Sequence, residues 1–341
     1  MAGKKIRVGV IGLGRAGMIH ARNFATAVPE AELALVADSN PESLENALRE
    51  ISPGKCLTQW QEVFSEKYID AIVVATPTDL HKDIVVAAAQ SGKHILCEKP
   101  MALNSRECEL MIEAVEKSRV KLQLGFMRRY DRNFLEAKER IGRGEIGEVI
   151  LVKSLTHGPS IPKPWQYDIA RSNGPLAEVN SHDIDTLRWF ADSEFKTVYA
   201  IGGNYRCPEA RQDFPDFYDN VVLTASFENG RQGLIGGAVA VRYGYDSRAE
   251  IVGKDGVLFI GSLDATNVVC CSSGKGAVKS IVPSWRNLFM EAYLTEDRDF
   301  IRCILDDRIP RATGLDGKKA VEVVNAGNRS ILEKRPIELI N

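Results

Sequence analysis

Short, nearly continuous apolar runs alternate with amphipathic segments through the first 126 residues. IRVGVI (6–11), ELALVA (32–37), IDAIVVA (69–75), HILCE (94–98) and KLQLGF (121–126) are the runs. Such runs suit parallel strands covered on both faces, since a strand with one wet face would alternate. Between them, MIHARNFATAV, PESLENALRE, LHKDIVVAAAQSG and SRECELMIEAVEKS carry apolar residues at three- and four-residue spacing, the helical period. Pro41 stands at a helix start and Gly92 just past a helix end, where a missing N–H and a permissive φ are useful. The alternation predicts a doubly wound parallel sheet over 1–126.

Beyond 126 the rhythm changes. One helix, FLEAKERI, precedes the strand EVILVKSLTH (148–157), and GPSIPKPWQYDIARSNGP (158–175) has the prolines and polar residues of a long loop. The apolar-rich segment around NSHDIDTLRWF predicts a helix. Five strands follow: TVYAIGGNYR, NVVLTASFE, GLIGGAVAV, SRAEIVG and GVLFI, with hairpin turns at Asn229-Gly230 and Asp255-Gly256. Two helices, near 286–305 and 316–333, close the chain. The pattern makes 127–341 a second α/β domain, an open and mostly antiparallel sheet with helices on one face. A sheet with one bare apolar face needs cover, so a homo-oligomer, a tetramer, is expected.

Composition narrows the function without naming it. The 341 residues are 44% hydrophobic and 26% charged, with a formal net charge of −2. That balance carries no footprint for nucleic acid or an anionic membrane. Seven cysteines are scattered without a C-x-x-C spacing, so no metal site is expected and buried reduced thiols are. The start, MAGKKIRVGVIGLG, has no signal-peptide pattern, and no apolar stretch approaches a membrane span. A cytoplasmic protein with a small-molecule partner is expected.

The first strand runs into GLGRAG, which sets Gly12, Gly14 and Gly17 in G-x-G-x-x-G spacing, with Arg15, Ala16 and Met18 on the same turn. A strand before it and a helix after it give the motif the context of a dinucleotide site. Gly12 permits the turn, Gly14 admits a pyrophosphate, and Gly17 lets helix and strand approach. Asp38 follows the second strand, 21 residues after Gly17, with Ser39 beside it. A carboxylate there accepts from a ribose diol, and SNPE offers no cation for a 2′-phosphate, so NAD is the expected cofactor. ATPTDLH and CEKP end two further strands on the same side. Thr76, Pro77, His81, Glu98 and Lys99 therefore join the expected cofactor set.

In the second half, Glu178 and His182 are four residues apart, which on one helix puts them on one face. A carboxylate orienting an imidazole is a general-base arrangement. The same run also reads as an amphipathic helix whose polar side faces water. Arg128 and Arg129 follow the last strand of the first half, one expected toward cofactor or substrate and one in a salt bridge. Trp165, Tyr243, Tyr245 and Tyr293 are candidates for a sugar pocket or for core packing.

GLGRAG, ATPTDLH, GKHILCEKP and NSHDID, in this order over nearly the whole length, resemble the glucose-fructose oxidoreductase/inositol dehydrogenase (Gfo/Idh/MocA) family. GFMRRYD, YGYDSRAEIVG and TGLDGKKAVEVVNA are similar to inositol 2-dehydrogenases. The resemblance implies an N-terminal Rossmann domain, an α/β substrate domain, and oxidation of a sugar or cyclitol hydroxyl. It makes Lys99 and His182 the active-site pair, with either one as the base, and Glu178 the third member where the family usually has aspartate. A His-Arg-Asn-Pro stretch of the inositol enzymes is HGPS here, so only His157 survives, and the glycine pair before the active-site helix is NGP. Arg128, His157, Trp165 and the Lys99, Glu178 and His182 group form the expected substrate set. A glycoside 3-oxidoreductase and a non-catalytic NAD-binding sensor are the alternatives to a cyclitol dehydrogenase.

Overall fold

All five apolar runs of the first half become strands in the computed structural model, which describes residues 5–339. They are β1 (Ile6–Ile11), β2 (Ala31–Ala37), β4 (Ala71–Val74), β5 (His94–Cys97) and β6 (Leu122–Leu124), with a two-residue strand β3 (Cys56–Leu57) at one edge. The order is β3-β2-β1-β4-β5-β6, every pair parallel. The order reverses between β1 and β4, and ligands of such sheets sit beyond the strand ends at that point. Val10 and Val73 on one face and Ile72 and Ile95 on the other have no exposed surface, so the sheet is covered on both faces as its continuous apolar runs require. Helices α1 (Arg15–Thr26), α2 (Pro41–Ile51), α3 (His81–Gln90) and α4 (Ser105–Ser118) connect the strands.

This first compact unit extends through Tyr130 and also takes in Met290–Val321. The sequence reading places that late segment in the second domain. Packing assigns it otherwise, because Phe300 and Ile301 are buried in the core formed by Val8, Val10, Val36 and Val73. No local pattern announces such a return of the chain.

The second unit comprises Asp131–Phe289 and the chain from Glu322 on. It holds α5 (Arg132–Gly142), β7 (Val149–His157), α6 (Ile169–Ser172), α7 (Gly174–Glu178), α8 (Ser181–Ala191), β8 (Phe195–Gly203), β9 (Asn220–Phe227), β10 (Gln232–Ala238), β11 (Asp246–Gly253) and β12 (Val257–Ile260). Its sheet runs β12-β11-β7-β10-β9-β8, closed at the β8 edge by Ile337–Glu338. The pairs are antiparallel except β7 with β10, which run parallel from Leu151 opposite Gln232 to His157 opposite Ala238. Helix α8 packs on β7 and β10.

Two expectations change here. The stretch 158–175 is not one loop: Pro164–Tyr167 and Ile169–Ser172 form helical turns, the second capped by Asp168, whose side chain accepts from Ala170 N. A ribbon of two strands, Asp264–Ser272 and Gly276–Ile281, is exposed except at half-buried Asp264 and carries Cys270 and Cys271 in solvent. Burial therefore does not extend to all seven thiols. Two long helices, Trp285–Leu305 and Gly314–Glu333, each have residues in both units. Among the described residues no helix is long and apolar enough to cross a membrane. The reading of the extreme N-terminus as free of a signal pattern rests partly on residues 1–4, which lie outside the described residues.

Candidate active site

The turn after β1 is built so that only glycine fits. Gly12 has φ +91°, and a Cβ there would stand 2.5 Å from the Ala75 carbonyl oxygen. A Cβ on Gly17 would come within 1.9 Å of the Gly12 oxygen, so any side chain would push α1 off the turn. Gly14 is different: it is exposed and nothing lies within 4 Å of its Cβ position. It caps α1 without a side-chain hydrogen bond, and no acidic residue stands in the first turn. The positive end of the helix thus faces open space, as an anion site requires. Arg15 is exposed there, with Ala16 and Met18 half-buried.

Asp38 ties this turn to the end of β2. Its Oδ2 accepts from Leu13 N at 2.6 Å and its Oδ1 from Asn40 N at 2.8 Å. An ionised carboxylate has about four acceptor sites, so two such bonds leave capacity for a ribose diol. Asp38 is half-buried and Ser39 exposed. These features fit a bound dinucleotide. Among the described residues no group of three or more His, Cys, Asp or Glu is placed to hold a metal ion.

At the ends of β4 and β5, Thr76 and Lys99 are half-buried and Pro77 is exposed. His81 is buried, with Nδ1 at 2.9 Å from the Pro100 oxygen and Nε2 at 2.9 Å from the Thr76 oxygen. It ties the two strand-end loops together, and burial pushes its pKa below the ordinary imidazole value. Glu98 is buried too: Oε1 faces His20 Nε2 at 3.2 Å, and Oε2 accepts from Lys99 N at 3.0 Å. Burial raises the Glu98 pKa, but His20 and Lys99 outweigh it and hold the carboxyl below its usual range. Of the two arginines, Arg129 forms the expected salt bridge, to Asp316 at 3.0 Å, and Arg128 is 1% exposed. Tyr293 packs edge-on against His20, ring centroids 5.4 Å apart.

In the second unit His182 and Glu178 do not share a helix. Helix α7 ends at Glu178, Val179 and Asn180 form a turn, and α8 begins at Ser181. The four-residue spacing therefore does not set their geometry; the turn does. Glu178 is half-buried and its Oε2 accepts from Gln166 Nε2 at 3.0 Å, which joins it to the 164–167 turn beside half-buried Trp165. Nor does the polar side of the helix face water. Ser181 through Leu187 are all buried, His182 with 6% exposure. Asp183 accepts from Ser154 Oγ at 2.5 Å and from Asn180 Nδ2 at 2.7 Å, anchoring the start of α8 to β7. A Cβ on Gly237 would lie 2.1 Å from Asn180 Oδ1, so this glycine gives the turn its room. At the end of β7, His157 Nδ1 hydrogen-bonds the Tyr243 hydroxyl. Burial pushes His157 down, Asp246 and Asp183 opposing and Arg206 and Arg248 assisting. Tyr245, at 5% exposure, is a core residue.

Sequence reasoning missed His20 and Asp297, which meet at 2.6 Å although 277 residues separate them. Neither stands in a motif. The only local hint is a polar residue amid the apolar face of MIHARNF.

Both halves of the chain match known families. Residues 6–126 match the oxidoreductase family with an NAD-binding Rossmann fold, and residues 134–259 match the GFO/IDH/MocA C-terminal domain. The scyllo-inositol 2-dehydrogenase (NAD(+)) of Bacillus subtilis is 34% identical over 98% of this chain and 96% of its own. The myo-inositol 2-dehydrogenase of Thermotoga maritima is 32% identical over 98% of each. A crystal structure of scyllo-inositol dehydrogenase from Lactobacillus casei, with NAD(H) and scyllo-inositol bound, superposes with a TM-score of 0.89 at 26% identity, covering 98% of this chain and 99% of that one.

Proposed function

The chain belongs to the GFO/IDH/MocA oxidoreductase family, and from that premise we propose that it oxidises one secondary hydroxyl of a cyclitol of the inositol class to a ketone. It is an NAD-dependent oxidoreductase acting on CH–OH donors. The observation that carries the reading is the uncapped, solvent-open helix start at Gly14 above Asp38, in a chain that also places Lys99 at a strand end.

NAD, when bound, takes the hydride that leaves the carbinol carbon. The chain supplies everything else. The N–H groups at the start of α1 would hold the pyrophosphate, and Asp38 would accept from the ribose diol. Lys99 donates to the reacting hydroxyl and stabilises the alkoxide that develops there, where fixed charge helps most. His182 takes the hydroxyl proton, and its burial keeps bulk water from competing. Glu178 orients the imidazole from the preceding turn, and His157, Trp165 and Arg128 complete the substrate contacts. The converse assignment, Lys99 as base, puts the controlling ionisation of kcat/KM in the lysine rather than the imidazole range.

A homotetramer accompanies this reading. Ile150, Ile201, Val222 and Leu234 are exposed on the second sheet, an apolar face that a second copy would cover. A monomer mass by light scattering at micromolar concentration refutes it.

The deciding experiment follows NADH formation with scyllo- and myo-inositol, acyclic polyols and methyl glycosides. Turnover on an inositol well above the glycosides is expected. A preference for methyl glycosides transfers the enzyme to the glycoside 3-oxidoreductases, and no turnover on any alcohol, with NAD bound, leaves a sensor protein.

A further inference from the structure

Beneath Lys99 lies a buried line of charge that the reaction just described does not use. Asp297 Oδ1 faces His20 Nδ1 at 2.6 Å, and His20 Nε2 faces Glu98 Oε1 at 3.2 Å. Glu98 Oε2 accepts from Lys99 N at 3.0 Å, and Asn23 Nδ2 donates to Asp297 Oδ2 at 2.7 Å. His20 and Asp297 have no exposed surface, Glu98 5% and Asn23 8%. Both ring nitrogens of His20 point at carboxylates, which accept and do not donate when ionised, so hydrogen bonds on both sides require the imidazolium. Burial opposes that charge. Asp297 and Glu98 overcome it and hold the His20 pKa well above the ordinary value.

The line reaches the backbone from which Lys99 departs. A Cβ on Gly125 would lie 3.0 Å from Glu98 Oε2 and 3.1 Å from Glu98 Cα, so Glu98 is pressed onto bare backbone below. One oxygen fixes the Lys99 amide, and the other is pinned by a cation that Asp297 holds in turn.

We propose that His20 and Asp297 are positioning residues for Lys99, acting through Glu98 to set where the lysine amine stands. This rests on Lys99 serving the hydroxyl as described above. The neighbouring carboxyl supplies a built-in control. Glu296 is fully buried, and no hydrogen-bond partner meets either of its oxygens among the described residues. Burial, with Glu98 adding repulsion, raises its pKa well above the usual range. Two consecutive buried carboxyls thus differ in their partners: Asp297 meets His20 and Asn23, and Glu296 meets neither.

The test compares Asp297→Asn and Glu296→Gln in otherwise intact protein, each with and without Lys99→Met. Asp297→Asn is expected to lower kcat about 10-fold or more, within the range for coupled neighbours, with NADH affinity kept within about twofold. In the Lys99→Met background the same change is expected to cost less than about twofold, because its route is gone. Glu296→Gln is expected to change neither kcat nor NADH affinity. A second readout needs no turnover: reductive methylation of cofactor-free protein, followed by peptide mass spectrometry, with exposed Lys275 as reference. Asp297→Asn should change the Lys99 rate at least about threefold relative to Lys275. Failure of every inositol to react, with the Lys99 labelling change intact, overturns the assigned reaction and leaves the positioning. Unchanged labelling, equal kcat losses with and without Lys99, or an equal effect of Glu296→Gln overturns the positioning. Should Asp297→Asn not fold, Asn23→Ser frees one Asp297 oxygen alone, and unchanged Lys99 labelling there overturns the proposal equally.

Discussion

The chain beside Lys99 and the chain beside His182 are anchored by different kinds of bond. The backbone of Lys99 leans on buried ions, with Glu98 next to it in sequence and His20 and Asp297 far away. His182 stands in the first turn of a buried helix, where the next residue, Asp183, accepts from two uncharged donors: Asn180 from the adjacent turn and Ser154 from the strand beneath. The difference is energetic. Removing one member of a buried ion set strands a charge that water cannot reach, costing about 3–5 kcal/mol. Losing an uncharged donor leaves one unmet acceptor, costing about 1–3 kcal/mol. The support beneath the Lys99 backbone is thus brittle, and the one at the start of the His182 helix more tolerant.

The largest expected effect treats both ends alike. Lys99→Ala and His182→Ala should each lower kcat by ~10²–10⁴ with NAD affinity nearly kept. Their combination should be little worse than either alone, because groups acting as a unit are not additive. Multiplicative losses in steady-state kinetics break the pairing.

Next in size is the asymmetry of support. Urea unfolding should show Asp297→Asn destabilised by about 3–5 kcal/mol and Ser154→Ala by about 1–3 kcal/mol. Equal losses abolish the distinction between the two ends.

At the cofactor turn, Asp38→Ala removes acceptors from Leu13 N and Asn40 N as well as from the ribose. Weakening of NAD by about 1.5–3 kcal/mol is expected, with NADP competing more closely. Wild-type turnover with NADP equal to that with NAD at matched concentration contradicts it.

The smallest effect is a difference of slopes with pH. The raised pKa of His20, set by burial against Asp297 and Glu98, means its stabilisation is complete below the unfolded imidazole value of ~6.5. That stabilisation is lost as pH rises through the raised value. His157 is lowered by burial, so its penalty is greatest on the acid side and fades as pH rises to ~6.5. Relative to wild type, the Tm deficit of His20→Gln should therefore shrink with rising pH. For His157→Gln the difference should move the opposite way. Parallel Tm–pH curves for the two variants remove the contrast.

The cofactor turn was legible in advance because everything that makes it is local. Gly12, Gly14 and Gly17 answer to contacts within one strand, one turn and one helix, and Asp38 follows at the next strand end. The second half was legible only in part. Glu178 and His182 were read on one helix from their spacing, and nothing in GPLAEVNSHDID forbids a continuous helix. The turn at Val179–Asn180 is made by packing: Gly237 leaves room for Asn180, and Asp183 is pinned by Ser154 on β7. The exposed ribbon carrying Cys270 and Cys271 escaped for a related reason, since an unpacked hairpin leaves no apolar face to read.

What the sequence determined by itself was the parallel sheet, the glycine turn and its dinucleotide, the ends of the strands, and the residue types the chemistry needs. These depend on period and on φ, which neighbouring residues set. Only the tertiary structure decided that Met290–Val321 joins the first unit, that His182 is buried instead of facing water, and that Asp297 meets His20. Such contacts join segments tens to hundreds of residues apart, and the energy that selects them is desolvation and charge pairing, which no local period encodes.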